Sequence, residues 1–182
     1  MNIKENKTKT WTGQFKGVNF EIKCHTNEYD NTEHWTYYII IFLNRIPEEN
    51  SPNSFWLKGK KSGTRIIYDY YKHHVINNIN FHYGCTWYSK ENGFDGDEKV
   101  IKIGCDYSHY WDEGHDYDVN MVAHDCENTI EKFRELVPKY KYWCCGNGKL
   151  YDIEDGILRN DTFYSREYYG EKVDEFKNEN LN

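Results

Sequence analysis

His82, Asp106, His109 and Asp112 lie in one stretch, Phe81 to Cys126, that also holds half of the histidines and three of the six cysteines. Imidazoles beside hard carboxylates can bind zinc, manganese or iron, or pass protons between acid and base. Gly84 and Gly104 would let backbones pass close by, and His82 and Asp106 are expected to face one side of a hairpin. Against chemistry of this kind, no H-E-x-x-H, nucleotide fingerprint or nucleophile motif stands beside the four residues. The spacing therefore favours polar residues on a strand rim. The reading expects no enzyme, no cofactor and no bound metal, with His82, Asp106, His109 and Asp112 as the alternative ligand set.

The same stretch supports a second use. From Phe94 to Asp118, eight Asp and Glu stand against two Lys, a local net charge of −6. Tyr107, Tyr110, Trp111 and Tyr117 are interleaved with these acids. Carboxylates spaced among aromatic anchors can imitate a phosphate backbone with stacked bases and so fit a basic groove. The candidate contact residues are Asp95, Asp97, Glu98, Tyr107, Tyr110, Trp111, Asp112, Glu113, Asp116 and Asp118. A solvated acidic loop is the plainer reading of any charge run; the number of rings argues for a contact surface.

The elements that must carry these residues are legible in part. Val18, Phe20, Ile22 and Cys24 alternate with polar residues, which predicts a half-buried strand. Trp35 to Leu43, apolar on both faces at its centre, predicts a central strand covered on both sides. Ile79, Phe81, Tyr83, Cys85 and Trp87 share the parity of a strand face, and Ile101, Ile103 and Cys105 form the inner face of its return. Residues 91–98 supply turn pairs for the hairpin between them. Arg65 to Tyr71 suits a strand or a short helix. Asp118 is an N-cap for a helix whose buried stripe is Val119, Val122, Ala123, Cys126, Ile130, Phe133 and Leu136, and Pro138 ends it. A hairpin on Gly146-Asn147-Gly148 and a helical turn over Lys172 to Phe176 follow. The fold class is α+β, an antiparallel sheet with one principal helix packed on a face. Residues 1–12 read as a flexible arm, 13–156 as one domain and 157–182 as a polar extension.

A chain of 182 residues can bury a real core, and aromatics at 18% compensate for an apolar fraction of 38%. No run is long and apolar enough to span a membrane, and Met1 to Lys7 lacks the apolar core of a signal peptide, so a cytoplasmic location is expected. With no C-x-x-C, the cysteines read as reduced thiols, with Cys24, Cys85, Cys105 and Cys126 in the core. The net charge of −7 argues against direct nucleic-acid binding and for a basic partner.

The order His82-Tyr83-Gly84-Cys85-Thr86, then Gly104-Cys105-Asp106-Tyr107-Ser108-His109, then an acidic stretch and a helix with Cys126, resembles a group of small phage and prophage proteins. These carry an HGGxTY-like strand, a GFDCAH-like segment and a similar helix. The resemblance covers roughly residues 79–136, with departures at Tyr83, Cys85, Trp87, Tyr107 and Ser108. It implies no catalytic activity. In length, acidity, phage-like character and the AT-rich coding that 18 Lys to 5 Arg reflect, the chain also resembles an anti-CRISPR protein of the kind directed at type II effectors. That likeness implies a host RNA-guided nuclease, or another basic nucleic-acid-handling protein, as the partner inside the bacterial cell, with target engagement blocked.

Overall fold

The structure, a computed structural model, describes residues 8–27, 29–47, 64–65, 78–92, 99–108 and 112–179. Strands β1 (Thr8–Phe15), β2 (Val18–Thr26), β3 (Glu33–Phe42), β4 (Thr64–Arg65), β5 (Trp87–Asn92) and β6 (Lys99–Asp106) form one sheet in the order β1-β2-β3-β6-β5-β4. Every pairing in it is antiparallel. Helix α1 (Val119–Leu136) lies on one face of this sheet. The α+β class read from the sequence is the class observed.

Period two decides the sheet and period 3.6 the helix. Val18, Ile22 and Cys24 of β2, Trp35, Tyr37, Ile39 and Ile41 of β3, and Ile101, Ile103 and Cys105 of β6 are buried on the helix side. They meet Val122, Cys126, Ile130 and Phe133 of α1, which recur at helical spacing. Asp118 begins the helix as expected: its Oδ1 accepts the N–H of Asn120 at 2.8 Å and of Met121 at 2.9 Å. The helix stops two residues before Pro138.

Strand β3 is central, but only one of its faces is sealed. Tyr38, Ile40 and Phe42 on the other are half-buried, under side chains such as Lys102, whose Nζ sits 4.7 Å from the Tyr38 ring centroid. Gly104 permits the close approach of β6 to β3 there, since a Cβ would meet the Tyr37 carbonyl oxygen at 2.1 Å.

The segment before β5 is a turn where the alternation predicts a strand. Tyr83 (φ +50°) and Gly84 (φ +98°) reverse the chain, and the Gly84 N–H closes on the Phe81 carbonyl. Ile79, Phe81 and Cys85 still reach the core, whereas Tyr83 is 47% exposed. Strand pairing begins only at Trp87, so the parity shifts: Tyr88 turns inward and Trp87 outward.

A second sheet follows α1. It contains β7 (Tyr142–Cys144), β8 (Lys149–Tyr151), β9 (Gly156–Arg159) and β10 (Thr162–Ser165), in the order β8-β7-β10-β9. The β7–β8 hairpin is the one expected on Gly146-Asn147-Gly148, and β10 runs parallel to β7. Helices α2 (Arg166–Tyr169) and α3 (Lys172–Glu179) close the described chain. Tyr142, Cys144, Tyr151 and Phe163 make a separate small core. Residues 157–179, set apart by composition as an extension, thus supply two strands and two helices, and residues 8–12 belong to β1. Of the 65–71 element only Arg65 is described, and residues 93–98 of the expected hairpin loop lie outside the described residues.

Candidate binding cleft

The end of the sheet where β3 begins and α1 starts carries a polar network around His82. Its Nε2 lies 2.8 Å from Asp112 Oδ1, and its Nδ1 lies 3.7 Å from Asp125 Oδ2. Tyr117 donates its hydroxyl to Asp112 Oδ1 at 2.8 Å, and Tyr107 donates to Asp125 Oδ2 at 2.7 Å. The imidazole stacks on the Tyr107 ring at 4.0 Å, and Tyr117 meets Tyr107 edge-on at 4.7 Å. Burial, and then the neighbouring carboxylates, push both phenols well above their ordinary range, so both remain donors.

The network reaches into the core through Tyr37. The His82 N–H donates to Tyr37 Oη at 3.1 Å, and Tyr37 contacts Thr129 Oγ1 at 2.8 Å. Because Thr129 donates to the Asn80 carbonyl, Tyr37 must be the donor to Thr129. Loop, sheet and helix are therefore tied together beneath the turn at 81–84.

The predicted residues divide accordingly. His82 and Asp112 come together as the metal reading required. Asp106 does not join them: it lies on the opposite face of β6 from Cys105 and accepts Thr86 Oγ1 at 2.8 Å. One His82 nitrogen is engaged by Asp112 and the other faces Asp125. Among the described residues no group of three or more His, Cys, Asp or Glu is placed to hold a metal. His109 lies outside the described residues, as do Asp95, Asp97, Glu98, Tyr110 and Trp111.

Two residues read as surface contacts are interior. Tyr107 is 5% exposed and Asp112 is 8% exposed, because the His82 network takes both. Asp118 is exposed but caps α1, whereas Glu113 and Asp116 are exposed. Sequence reasoning missed Asp125 and, although it read Asn27 to Thr32 as a turn, missed that residues 31–35 wall the site. Asp125 stands three residues after Val122 and one before Cys126, on the border of the buried helical stripe, and that position was its signal.

Above the network opens a cleft of about 740 Å³, walled by residues 31–35 on one side and 112–117 on the other. The turn forming the first wall is held by Asp30, whose Oδ1 accepts both the N–H and the hydroxyl of Thr32. Glu33, Asp112, Glu113 and Asp116 line the cleft together with His34, His115, Trp35, Tyr107 and Tyr117, and among the described residues no Lys or Arg does. Lys9 approaches only from beside it, 4.0 Å from Glu33. The three exposed carboxylates, Glu33, Glu113 and Asp116, make a negative potential at the cleft that the half-buried Tyr117 ring can reinforce toward a cation. Compared with protein-family models, curated proteins and solved structures, the chain matches none.

Proposed function

We propose that the protein is a non-enzymatic binding protein whose acidic cleft seats a basic segment of a partner. The observation that carries this reading is the cleft lining: the exposed carboxylates of Glu33, Glu113 and Asp116 beside the half-buried Tyr117 ring, with no Lys or Arg among the described lining residues. A lysine or arginine side chain entering it would gain charge complementarity and a ring surface together. Together with the resemblance to phage proteins, this favours a basic nucleic-acid-handling partner, an RNA-guided nuclease foremost, whose nucleic-acid channel the acidic end would occupy. Among the described residues no helix is long and apolar enough to cross a membrane.

The test is inhibition of target-DNA cleavage by a purified, guide-loaded type II effector. The wild-type chain is expected to inhibit. The combined variant Glu33→Gln, Glu113→Gln and Asp116→Asn is expected to lose inhibition while melting at the same temperature, because all three side chains are exposed. Inhibition equal to wild type by the folded variant would contradict the reading.

A further inference from the structure

At the opposite end of the molecule, where the two sheets meet, charge of the other sign collects. Arg45 follows β3 and is only 7% exposed. Its guanidinium lies 4.2 Å from the Phe42 ring centroid and 5.9 Å from that of Trp143, and donates weakly to the Gly17 carbonyl at 3.4 Å. Among the described residues its Nε has no hydrogen-bond partner. Arg134, near the end of α1, sits 4.3 Å from the Tyr142 ring and 5.6 Å from Tyr140, and donates to the Tyr140 carbonyl at 2.5 Å. Lys141 joins this group through its backbone, its N–H donating to the Arg45 carbonyl at 2.8 Å.

None of these three cations has an ion-pair partner among the described residues. Glu131 and Asp161, the acids that reach this end, are taken up by the Nζ and the backbone N–H of Lys16. A chain of net charge −7 has carboxylates to spare. Among the described residues only the flanking rings and the Gly17 carbonyl offset the desolvation of the Arg45 guanidinium, and they do so in part. An anion supplied from outside would complete the arrangement. Beside it Trp143, 45% exposed, presents a ring on the outer face of β7.

We infer that this seam binds single-stranded nucleic acid, with Lys141 meeting the phosphate backbone over the fixed charges of Arg45 and Arg134, and Trp143 stacking on a base. Cations layered with aromatic rings are what single strands require, a charged track for phosphates and π-faces for bases. The net charge of the whole chain conceals the surface, because the described acids nearest to it, Glu131 and Asp161, are taken up by Lys16. The inference goes beyond the docking of the acidic cleft and does not depend on it.

The experiment titrates a fluorescein-labelled oligo-uridine with the isolated full-length chain and reads anisotropy at about 50 and 200 mM salt. Binding is expected at the lower salt, weakening at the higher. Trp143→Ala is expected to weaken it at least about fivefold, and Trp143→Phe to restore much of it. Lys141→Gln is expected to reduce the salt slope by about 0.7, the value of one single-strand phosphate contact. The inference is overturned by an absence of anisotropy change at low salt. It is equally overturned if folded Trp143→Ala and Lys141→Gln bind as wild type does, or if polyglutamate of matched charge competes as well as unlabelled RNA.

Discussion

Asp112 and Glu113 are neighbours in sequence with opposite surroundings. Asp112 is buried and receives His82 and Tyr117; Glu113 is exposed on the cleft wall. Replacing His82 with Ala leaves the buried carboxylate with one donor fewer, a change expected to cost about 1–3 kcal/mol. Glu113→Gln is expected to stay within about 0.5 kcal/mol of wild type. Urea unfolding of the two variants checks this, and equal stabilities would show that the His82 network contributes nothing to the fold. The sequence does not separate the two acids, because the donors to Asp112 come from 5 and 30 positions away. Three cysteines were more legible: strand parity placed Cys24 and Cys105 in the core and helical spacing placed Cys126, whereas Cys85 is buried by a turn and Cys144 was not expected there. Cys24, Cys85, Cys105, Cys126 and Cys144 are buried, Cys145 is exposed, and burial pushes the Cys85 thiol up to about 12. Native alkylation followed by mass spectrometry is expected to label Cys145 alone, with all six cysteines labelled after denaturation.

Among the elements, α1 could be read almost whole, because its cap, its apolar stripe and its terminating proline agree. Asp118→Ala is expected to cost about 1 kcal/mol of stability, measured by thermal melting, whatever it does to binding. The 79–86 segment was misread because burial of alternate residues does not require a strand. A turn can bury Ile79, Phe81 and Cys85 equally well when Tyr37 is there to receive Phe81. Of the second sheet only the β7–β8 hairpin was legible, from its glycine turn; β9 and β10 were hidden for another reason, since they run four residues each, too short for a pattern, and their burial comes from Phe163 meeting Tyr142 and Tyr151.

The outer face of the first sheet carries a cross-strand pair with a pH signature. Glu21 Oε1 lies 2.5 Å from Lys102 Nζ and 2.9 Å from Lys23 Nζ. Burial pushes the Glu21 carboxyl up, but the two lysines outweigh it and hold it below its ordinary 4.5. A carboxyl that titrates lower folded than unfolded adds stability above about 4.5, and loses it as pH falls through the folded value. Glu21→Gln is therefore expected to be less stable than wild type at neutral pH, with the difference vanishing near pH 3 in urea titrations. A difference of the same size at both pH values would show that the lysine pairing is not its source.

Across the whole molecule the charges separate along β3 and α1. The ten residues of β3 span about 30 Å, from Glu33 at the acidic cleft to Phe42 beside Arg45. Helix α1 runs the same course, from the Asp118 cap to Arg134. This polarity was only half visible in the sequence. The acidic run from Phe94 to Asp118 stands out, whereas Glu33 joins it only through the fold, and the cations of the seam are scattered from position 45 to 141.

Association with a guide-loaded RNA-guided nuclease, followed in real time across ionic strength, tests the docking account most directly. Complementary charge accelerates encounter and is screened by salt. The wild-type rate constant is expected to fall steeply as salt rises. The Glu33→Gln, Glu113→Gln, Asp116→Asn variant is expected to associate more slowly at low salt and to show a flatter dependence. Identical rate constants and salt slopes for the two proteins would contradict the acidic cleft as the docking site.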